Sequence, residues 1–486
     1  MGVPPVLNND LLDQTPMKKV FTLLAFACAF HFIQAQTYYI SDSLIDYKTK
    51  DELLSDGFIF ARYGCNVYRI TYNTIEPDST PTVATGAIIV PWTSGCAMPA
   101  AVYCHGTISK KTDAPSYNLS GEVRVGQGLA SDGYLSVLPD YLELGGNDYP
   151  HHPYIHAHSE ATASIDLLRA AREWCTANGY QLNGEVFIAG YSQGGHSAAA
   201  TARMMQENHS AEFNLVAWAG GSGPYDVSGV QETLIRDTVP YPDPGYLPFL
   251  AVGYQEVYGN LYDSLSQAFR APYDSVIGAV FNGEYGMGTA NANLPPVPRD
   301  MIDSAYFADY VSDPNHPLRI ALRDNDVYDW APSMPTVLYY CPMDSSVTYL
   351  NSIVARDTMI ANGATDVTAV LASPTDGHTA CAFTSLFAAK GFFDTYANVC
   401  NTTGLGELVQ DFKVYPNPTS DVIHLPLHNW NTAQVNLLDI TGRLVYQKDL
   451  MGGDERTLYL DNLAPGTYLL ELNSKEKRAV TKVVVE

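Results

Sequence analysis

Cations are scarce in this 486-residue chain: 27 Lys+Arg stand against 52 Asp+Glu, a formal charge of −25. That shortage excludes a nucleic-acid binder, which needs clustered cations to neutralise phosphate. Charges of both signs make up only 16% of the chain, below the usual quarter or so. Long apolar runs are missing too. The best candidate, residues 20–33, falls short of the roughly 20 residues that span a bilayer as a helix. No Cys-x-x-Cys pair occurs, which argues against a zinc ribbon. No repeat of propeller length is visible. What is present is apolar: 46% hydrophobic, 11% aromatic and 33 tyrosines, enough to build a large core and to exclude disorder for most of the length. The length exceeds one ordinary domain and fits an enzyme-sized unit plus a small second one.

Residues 17–36 have the order of an export signal. Lys18 and Lys19 form a positive end, the apolar run follows, and Ala35 offers a small residue for cleavage. Residues 1–16 resemble translation from an upstream start, so 1–35 is expected to be removed. No segment of the mature chain is expected to cross a membrane. Of eight cysteines, Cys28 lies in the signal, so an odd number remains and at least one thiol should stay free. Export permits disulfides. The expected pair is Cys381–Cys400, flanking the last helix of the first domain, with Cys65–Cys96 second. Cys104 and Cys341 lie in apolar strand-like runs and are expected as buried free thiols.

The chain then changes pattern three times. Residues 36–100 alternate in strand fashion, as in 67–72 and 85–91. From residue 100 short, wholly apolar runs (100–104, 134–138, 185–189, 213–219 and 336–341) alternate with helical stretches such as 159–178, where Ile165, Leu168, Ala171 and Trp174 form a stripe before the stop at Gly179. Runs apolar on both faces are the mark of a parallel sheet covered by helices. Residues 223–335, rich in Tyr, Pro, Phe and Leu, are too long for one crossover and predict an inserted cap over a pocket. After a linker at 401–408, residues 409–486 carry only short alternating strands with turns at Pro416-Asn417-Pro418, Thr441-Gly442 and Pro465-Gly466, which predicts a small β-sandwich. The catalytic unit is thus expected at 36–400.

The sharpest chemical signal is Gly190-Tyr191-Ser192-Gln193-Gly194, a G-x-S-x-G between an apolar strand and an Ala-rich helix. A serine at its free pKa is a weak nucleophile and needs a base, which in turn needs an orienting acid. In such a fold these follow in the order Ser, Asp or Glu, His. Asp344, just past the strand 336–341, is the expected acid; Asp324, Asp326 and Asp329 precede that strand and read as cap or turn residues. His378, in the loop after the strand Val367–Leu371, is the expected base, since His424 and His428 fall in the second domain. The oxyanion hole is expected from the backbone N–H groups of Gln193 and of Thr107, which follows the strand ending at Cys104. His105 reads as a residue shaping that loop. His151, His152, His156 and His158 fit no zinc spacing, and His196 reads as a packed core histidine. No metal and no cofactor is expected.

Residues of about 65–395 resemble the secretory lipase family of α/β-hydrolases. The resemblance rests on Tyr103-Cys104-His105-Gly106-Thr107, Pro139-Asp140-Tyr141-Leu142-Glu143-Leu144-Gly145, His152-Pro153-Tyr154, Asp166-Leu167-Leu168-Arg169-Ala170-Ala171-Arg172 and the run from Gly190 to His196. It implies ester hydrolysis by a Ser–Asp–His triad, mapping onto Ser192, Asp344 and His378, and a helical cap where the long insertion lies. The chain departs from its relatives at Cys341-Pro342-Met343, where they often carry glycine. Residues of about 409–486 resemble the type IX secretion C-terminal sorting domain, through Val414-Tyr415-Pro416-Asn417-Pro418, Asp421, Asp439-Ile440-Thr441-Gly442-Arg443 and Leu463-Ala464-Pro465-Gly466-Thr467-Tyr468. This implies handling by the type IX machinery and a place outside a gram-negative cell, secreted or on its surface. The combined expectation is a secreted serine carboxylic-ester hydrolase acting on a small-molecule, lipid or sugar ester. A peptidase of the prolyl-oligopeptidase kind and a non-catalytic surface protein on the same scaffold are the rival readings.

Overall fold

The computed structural model describes residue 2 and residues 37–93, 95–400, 414–425, 432–439, 443–451, 457–473 and 478–486. The expected signal with Cys28 and the expected linker 401–408 lie outside the described residues. Nine strands build the main sheet: β1 (Tyr39–Lys48), β2 (Cys65–Ile75), β3 (Pro81–Pro91), β4 (Met98–Cys104), β5 (Leu135–Pro139), β6 (Leu182–Tyr191), β7 (Asn214–Gly221), β8 (Thr336–Tyr340) and β9 (Val367–Leu371). Their spatial order is β1-β2-β3-β5-β4-β6-β7-β8-β9. β1, β2 and β3 run antiparallel and join β5 antiparallel; from β5 to β9 every pairing is parallel.

The pleat sorts the side chains into two cores. On β4, Ala100, Val102 and Cys104 enter one core, and Ala101 and Tyr103 the other. β6 repeats the division with Val186 and Ile188 against Phe187 and Ala189. Helices close both faces. The helix Ala157–Ala177 supplies Ile165, Leu168 and Trp174 to the first core, and the helix Gln193–Asn208 supplies Ala198, Ala202 and Met205. The helices Val123–Ser131 and His378–Asp394 close the second with Ala130 and Phe393. The helix Ala157–Ala177 begins where the His156 ring accepts the Ser159 N–H and stops before Gly179, whose φ of 77° lies in the left-handed region.

Between β7 and β8 the chain is helical, including Tyr246–Tyr258, Tyr273–Val280, Ser304–Ser312 and Pro317–Asp324. These helices share an apolar cluster that includes Phe249, Phe281, Met301 and Leu322 and takes in Tyr154 and Ile155 from just before the helix Ala157–Ala177. The C-terminal residues are all-β. A pair formed by β10 (Val422–His424) and β13 (Thr457–Tyr459) accompanies a four-stranded sheet in the order β12 (Leu444–Met451), β11 (Thr432–Asp439), β14 (Gly466–Asn473) and β15 (Arg478–Val485). One core unites the two sheets: Ile423 and Leu458 from the pair meet Val435, Leu437, Leu470 and Val483 from the four.

The disulfides differ from both expected pairs. Cys96 bonds Cys400, and Cys341 bonds Cys381. Cys381 sits in the first turn of the helix His378–Asp394, whereas Cys400 follows its far end, so about 20 Å of helix separates them. Cys341 directly follows β8 and meets that first turn. Cys65 lies inside the second core and stays a thiol, as do Cys104 and Cys175. Apolar context therefore marked Cys341 as buried but could not reveal its partner.

Candidate active site

Ser192 occupies the joint between β6 and the helix Gln193–Asn208 at φ 59°, ψ −123°. A non-glycine residue adopts that region at a cost of about 1–3 kcal/mol, so the surroundings must enforce it. They do so by close approach. A Cβ on Gly190 would lie 1.9 Å from the Gly194 carbonyl oxygen, and one on Gly194 would lie 1.9 Å from that of Cys104. The turn can be this tight only because both positions lack a side chain. The Ser192 N–H is taken up by the Gly221 carbonyl of β7 at 2.9 Å.

Asp344 stands in the loop after β8, and its side chain is sealed from solvent. Its Oδ1 accepts the N–H groups of Ser346 (3.0 Å) and Val347 (2.9 Å), leaving Oδ2 aimed at the His378 Nδ1, 2.7 Å away. His378 is the first residue of the helix His378–Asp394, and its Nε2 lies 2.8 Å from the Ser192 Oγ. A carboxylate at Nδ1 makes that nitrogen the donor and leaves Nε2 free to accept the serine hydroxyl. The Tyr191 hydroxyl donates to the His378 carbonyl, tying the residue before the serine to the histidine's backbone. The three expected residues thus converge, 186 and 34 positions apart in sequence.

The two residues expected as oxyanion donors stand at a helix start and in a strand-end loop. Gln193 opens its helix, where an N–H has no intrahelical acceptor. Thr107 belongs to the loop after β4. In that loop Gly106 packs so near that a Cβ there would sit 3.9 Å from the Ser192 Cβ. His105 holds the loop: its ring nitrogens face the Gly106 and Asp140 carbonyls at 2.7 and 3.3 Å.

A buried network behind the serine went unread in the sequence. The Gln193 side-chain amide donates to the His152 Nε2 and the Glu160 Oε1, both at 2.8 Å. His152 donates from Nδ1 to the Leu142 carbonyl at 2.9 Å, and burial drives its pKa down to about 3, so its Nε2 is an acceptor. The other Glu160 oxygen meets the His196 Nδ1, and the His196 Nε2 donates to the Asn325 carbonyl, again at 2.8 Å. The two side chains of that pair are almost fully buried. His196 is indeed a core histidine, but one facing a carboxylate. Two of the remaining clustered histidines go elsewhere: His151 meets Glu256, and His156 caps its helix. His196 at i+4 from Ser192 was visible in the sequence; Glu160 carried no signal, since only the fold brings it there.

Above the serine a cavity opens against the helical segment between β7 and β8. Its walls are apolar, among them Ile235, Leu247, Leu250, Leu322 and Val347, with Ser192 and Gln193 at its floor. Among the described residues no group of three or more side chains could hold a metal ion. No described helix is long and apolar enough to cross a membrane.

A mostly parallel sheet flanked by helices, with a serine on a strained strand-to-helix turn, defines an α/β-hydrolase. The chain belongs to the secretory lipase family, whose profile matches residues 122–395; that of the secretion system C-terminal sorting domain matches residues 413–486. No curated protein matches the chain. Among solved structures it is similar to the rice cell wall degrading esterase LipA from Xanthomonas oryzae, at 29% identity and a TM-score of 0.67 over 74% of this chain and 98% of that one. A putative hydrolase from Legionella pneumophila shares the fold at 23% identity, covering 74% and 98% of the two chains with a TM-score of 0.68. Candida antarctica lipase A shares it at 14%, 70%, 77% and 0.54 in the same terms. The protein is thus a hydrolase of the lipase and esterase kind, and its tail marks a bacterial protein that is secreted or held at the cell surface by the type IX route.

Proposed function

We propose that this protein is a serine carboxylic-ester hydrolase working through an acyl-enzyme. The observation that carries the reading is the continuous chain from the Asp344 Oδ2 through the His378 ring to the Ser192 Oγ, at 2.7 and 2.8 Å. His378 takes the serine proton as the hydroxyl attacks the ester carbonyl. The N–H groups of Gln193 and Thr107 hold the oxyanion. Asp344 keeps the imidazole in the Nδ1–H form and stabilises its cation. The alcohol leaves with the proton from His378, and water activated by the same ring clears the acyl group.

Residues 223–335 form the cap in this reading, within a catalytic unit at 36–400. The apolar cavity favours an ester with a hydrocarbon acyl part. Likeness to a cell wall degrading esterase supports an ester rather than a peptide substrate. Residues 1–35 direct export across the inner membrane. Residues 409–486, joined through 401–408, engage the type IX machinery at the outer membrane of a gram-negative cell. The formal charge of −25 argues against nucleic acid as a partner.

The test pairs a fluorophosphonate label with a panel of p-nitrophenyl esters and aminoacyl-anilides. Wild type should take one label and cleave the esters, and Ser192→Ala should lose both, with a fall in kcat of roughly 10⁶-fold. Anilide cleavage without ester cleavage would overturn the substrate assignment. Label retained by Ser192→Ala would overturn the nucleophile.

A further inference from the structure

We propose that the Cys341–Cys381 disulfide is a positioning element for the acid–base pair, holding Asp344 against His378; the proposal rests on the catalytic reading above. Each cysteine stands three residues from one of the two groups. Cys341 precedes Asp344, and the Asp344 N–H bonds back to the Cys341 carbonyl at 3.1 Å, so a single turn separates acid from sulfur. Cys381 follows His378 by three residues on the same helix, which places the two side chains on neighbouring turns of one face. The Cys381 N–H bonds to the Gly377 carbonyl at 2.9 Å, so its turn is the one that begins at the base. The covalent bond and the Asp344–His378 hydrogen bond therefore close a small ring: turn, disulfide, helical turn, carboxylate, imidazole.

The ring is anchored to the nucleophile as well. Cys341, Cys381 and Tyr191 pack as one buried apolar cluster, and Tyr191 precedes Ser192 while its hydroxyl holds the His378 carbonyl. Without the sulfur bridge, the loop after β8 and the helix start would lose their covalent link at the reacting end and keep the Asp344–His378 hydrogen bond and the packing around Tyr191. A displacement near 1 Å there is enough to cost about 100-fold in rate. The other disulfide has no such place. Cys96 lies two residues before β4, at the amino end of a strand whose carboxyl end leads to the site, about 20 Å along.

Forming the clamp is a two-electron oxidation. One cysteine thiolate attacks the S–S bond of a disulfide-bearing oxidant, the second thiolate resolves the mixed disulfide, and the oxidant departs as a dithiol. Before that exchange the chain carries every group of the site without the clamp.

The experiment measures kcat, KM and fluorophosphonate labelling rate for the full chain carrying Cys341→Ala with Cys381→Ala. Cys341→Ala with Cys381→Val is run beside it, to refill lost volume should the first fail to fold. Cys96→Ala with Cys400→Ala is the comparison. Loss of the clamp should lower kcat and labelling rate together by about 10–100-fold with KM within twofold, at a temperature where the far-UV spectrum is that of wild type. Loss of the Cys96–Cys400 bond should lower Tm and leave kcat within twofold. Unchanged kcat in a folded clamp variant would overturn the proposal, and so would an equal fall in the comparison variant. A wild type that neither hydrolyses esters nor takes label would overturn the catalytic reading and this proposal with it, whereas an active wild type beside an equally active clamp variant would overturn the clamp alone.

Discussion

The two ends of the parallel strands treat buried acids differently. At the carboxyl ends, acids are held mostly by neutral donors and imidazoles. Asp140 takes the Ser116 N–H and the hydroxyls of Ser116 and Thr85; Asp344 takes two backbone N–H groups and His378; Glu160 takes Gln193 and His196. At the amino ends, beside the start of β5, permanent cations do the holding. Asp132 is clamped between Arg62 and Lys390, and Lys390 also reaches Asp394 at 2.6 Å. At Asp344 and Glu160 the arrangement includes an imidazole, a group able to take up or release a proton, whereas the amide and hydroxyl donors around Asp140 only hold it in place. The second holds its acid with a guanidinium and an ammonium and contains no imidazole. The sheet thus separates chemistry from staple, one strand length apart.

The largest effect expected from breaking this division is at Asp344. Asp344→Asn keeps the shape of the acid but turns one oxygen into an N–H donor. If the remaining oxygen keeps the Ser346 and Val347 N–H groups, an NH₂ faces the His378 Nδ1. The ring must then carry its proton on Nε2, where it points at the Ser192 hydroxyl as a donor. The expected fall in kcat is about 10⁴-fold, with KM little altered. A variant within tenfold of wild type in a pre-steady-state ester assay would show that the tautomer does not govern the rate.

Glu143 sharpens the comparison in a second way, because it is a carboxyl-end acid with only a distant cation. Its side chain is buried at a residue of φ 69°, and the Lys111 ammonium stands 3.9 Å off. Burial pushes its pKa from 4.5 up to about 8, against the pull of Lys111. The folded protein therefore keeps a proton that the unfolded chain has released. Stability from this group is full below pH 4.5 and is lost as the pH rises through about 8. The slope for one group is at most about 1.4 kcal/mol per pH unit. Thermal unfolding from pH 5 to 9 should show Tm of wild type falling relative to Glu143→Gln. Parallel curves would mean that the carboxyl is already ionised at pH 5.

Much of this contrast was legible in the sequence, and the line of legibility is physical. Chemistry at the carboxyl ends is written in local patterns. Gly190 is required by a contact within its own turn, with Gly194, although Gly194 is required by the end of β4 at Cys104; the Ser, Asp, His order follows from which strand feeds which loop. The sheet core was readable because burial on both faces forces unbroken apolar runs such as 100–104. Partners across the fold were not readable. Cys341 and Cys381 are 40 positions apart, Cys96 and Cys400 304, and no local pattern encodes which sulfurs meet. Glu160 meets Gln193 and His196 only because two helices pack on the same face. The strands β2 and β3 were legible as strands at 67–72 and 85–91, while the antiparallel attachment of β3 to β5 depends on long-range pairing.

The smallest expected effect tests the amino-end staple. Lys390→Met keeps the apolar stem, which packs where the ammonium now lies 4.6 Å from the Phe60 ring centroid, and removes the charge. Removing one partner of a buried ion pair costs about 3–5 kcal/mol when the other is left unpaired. Here Arg62 still faces Asp132, and Asp394 is partly exposed and still accepts the Tyr134 hydroxyl at 3.0 Å. The loss should therefore fall below that range, at about 2 kcal/mol. Chemical denaturation should register it as a lower midpoint with an unchanged slope. Because the staple stands a strand length from Ser192, kcat of the folded variant should stay within twofold of wild type. A kcat loss larger than the stability loss explains would mean that the two ends of the sheet are coupled through the helix His378–Asp394, which carries Lys390 near one end and His378 at the other.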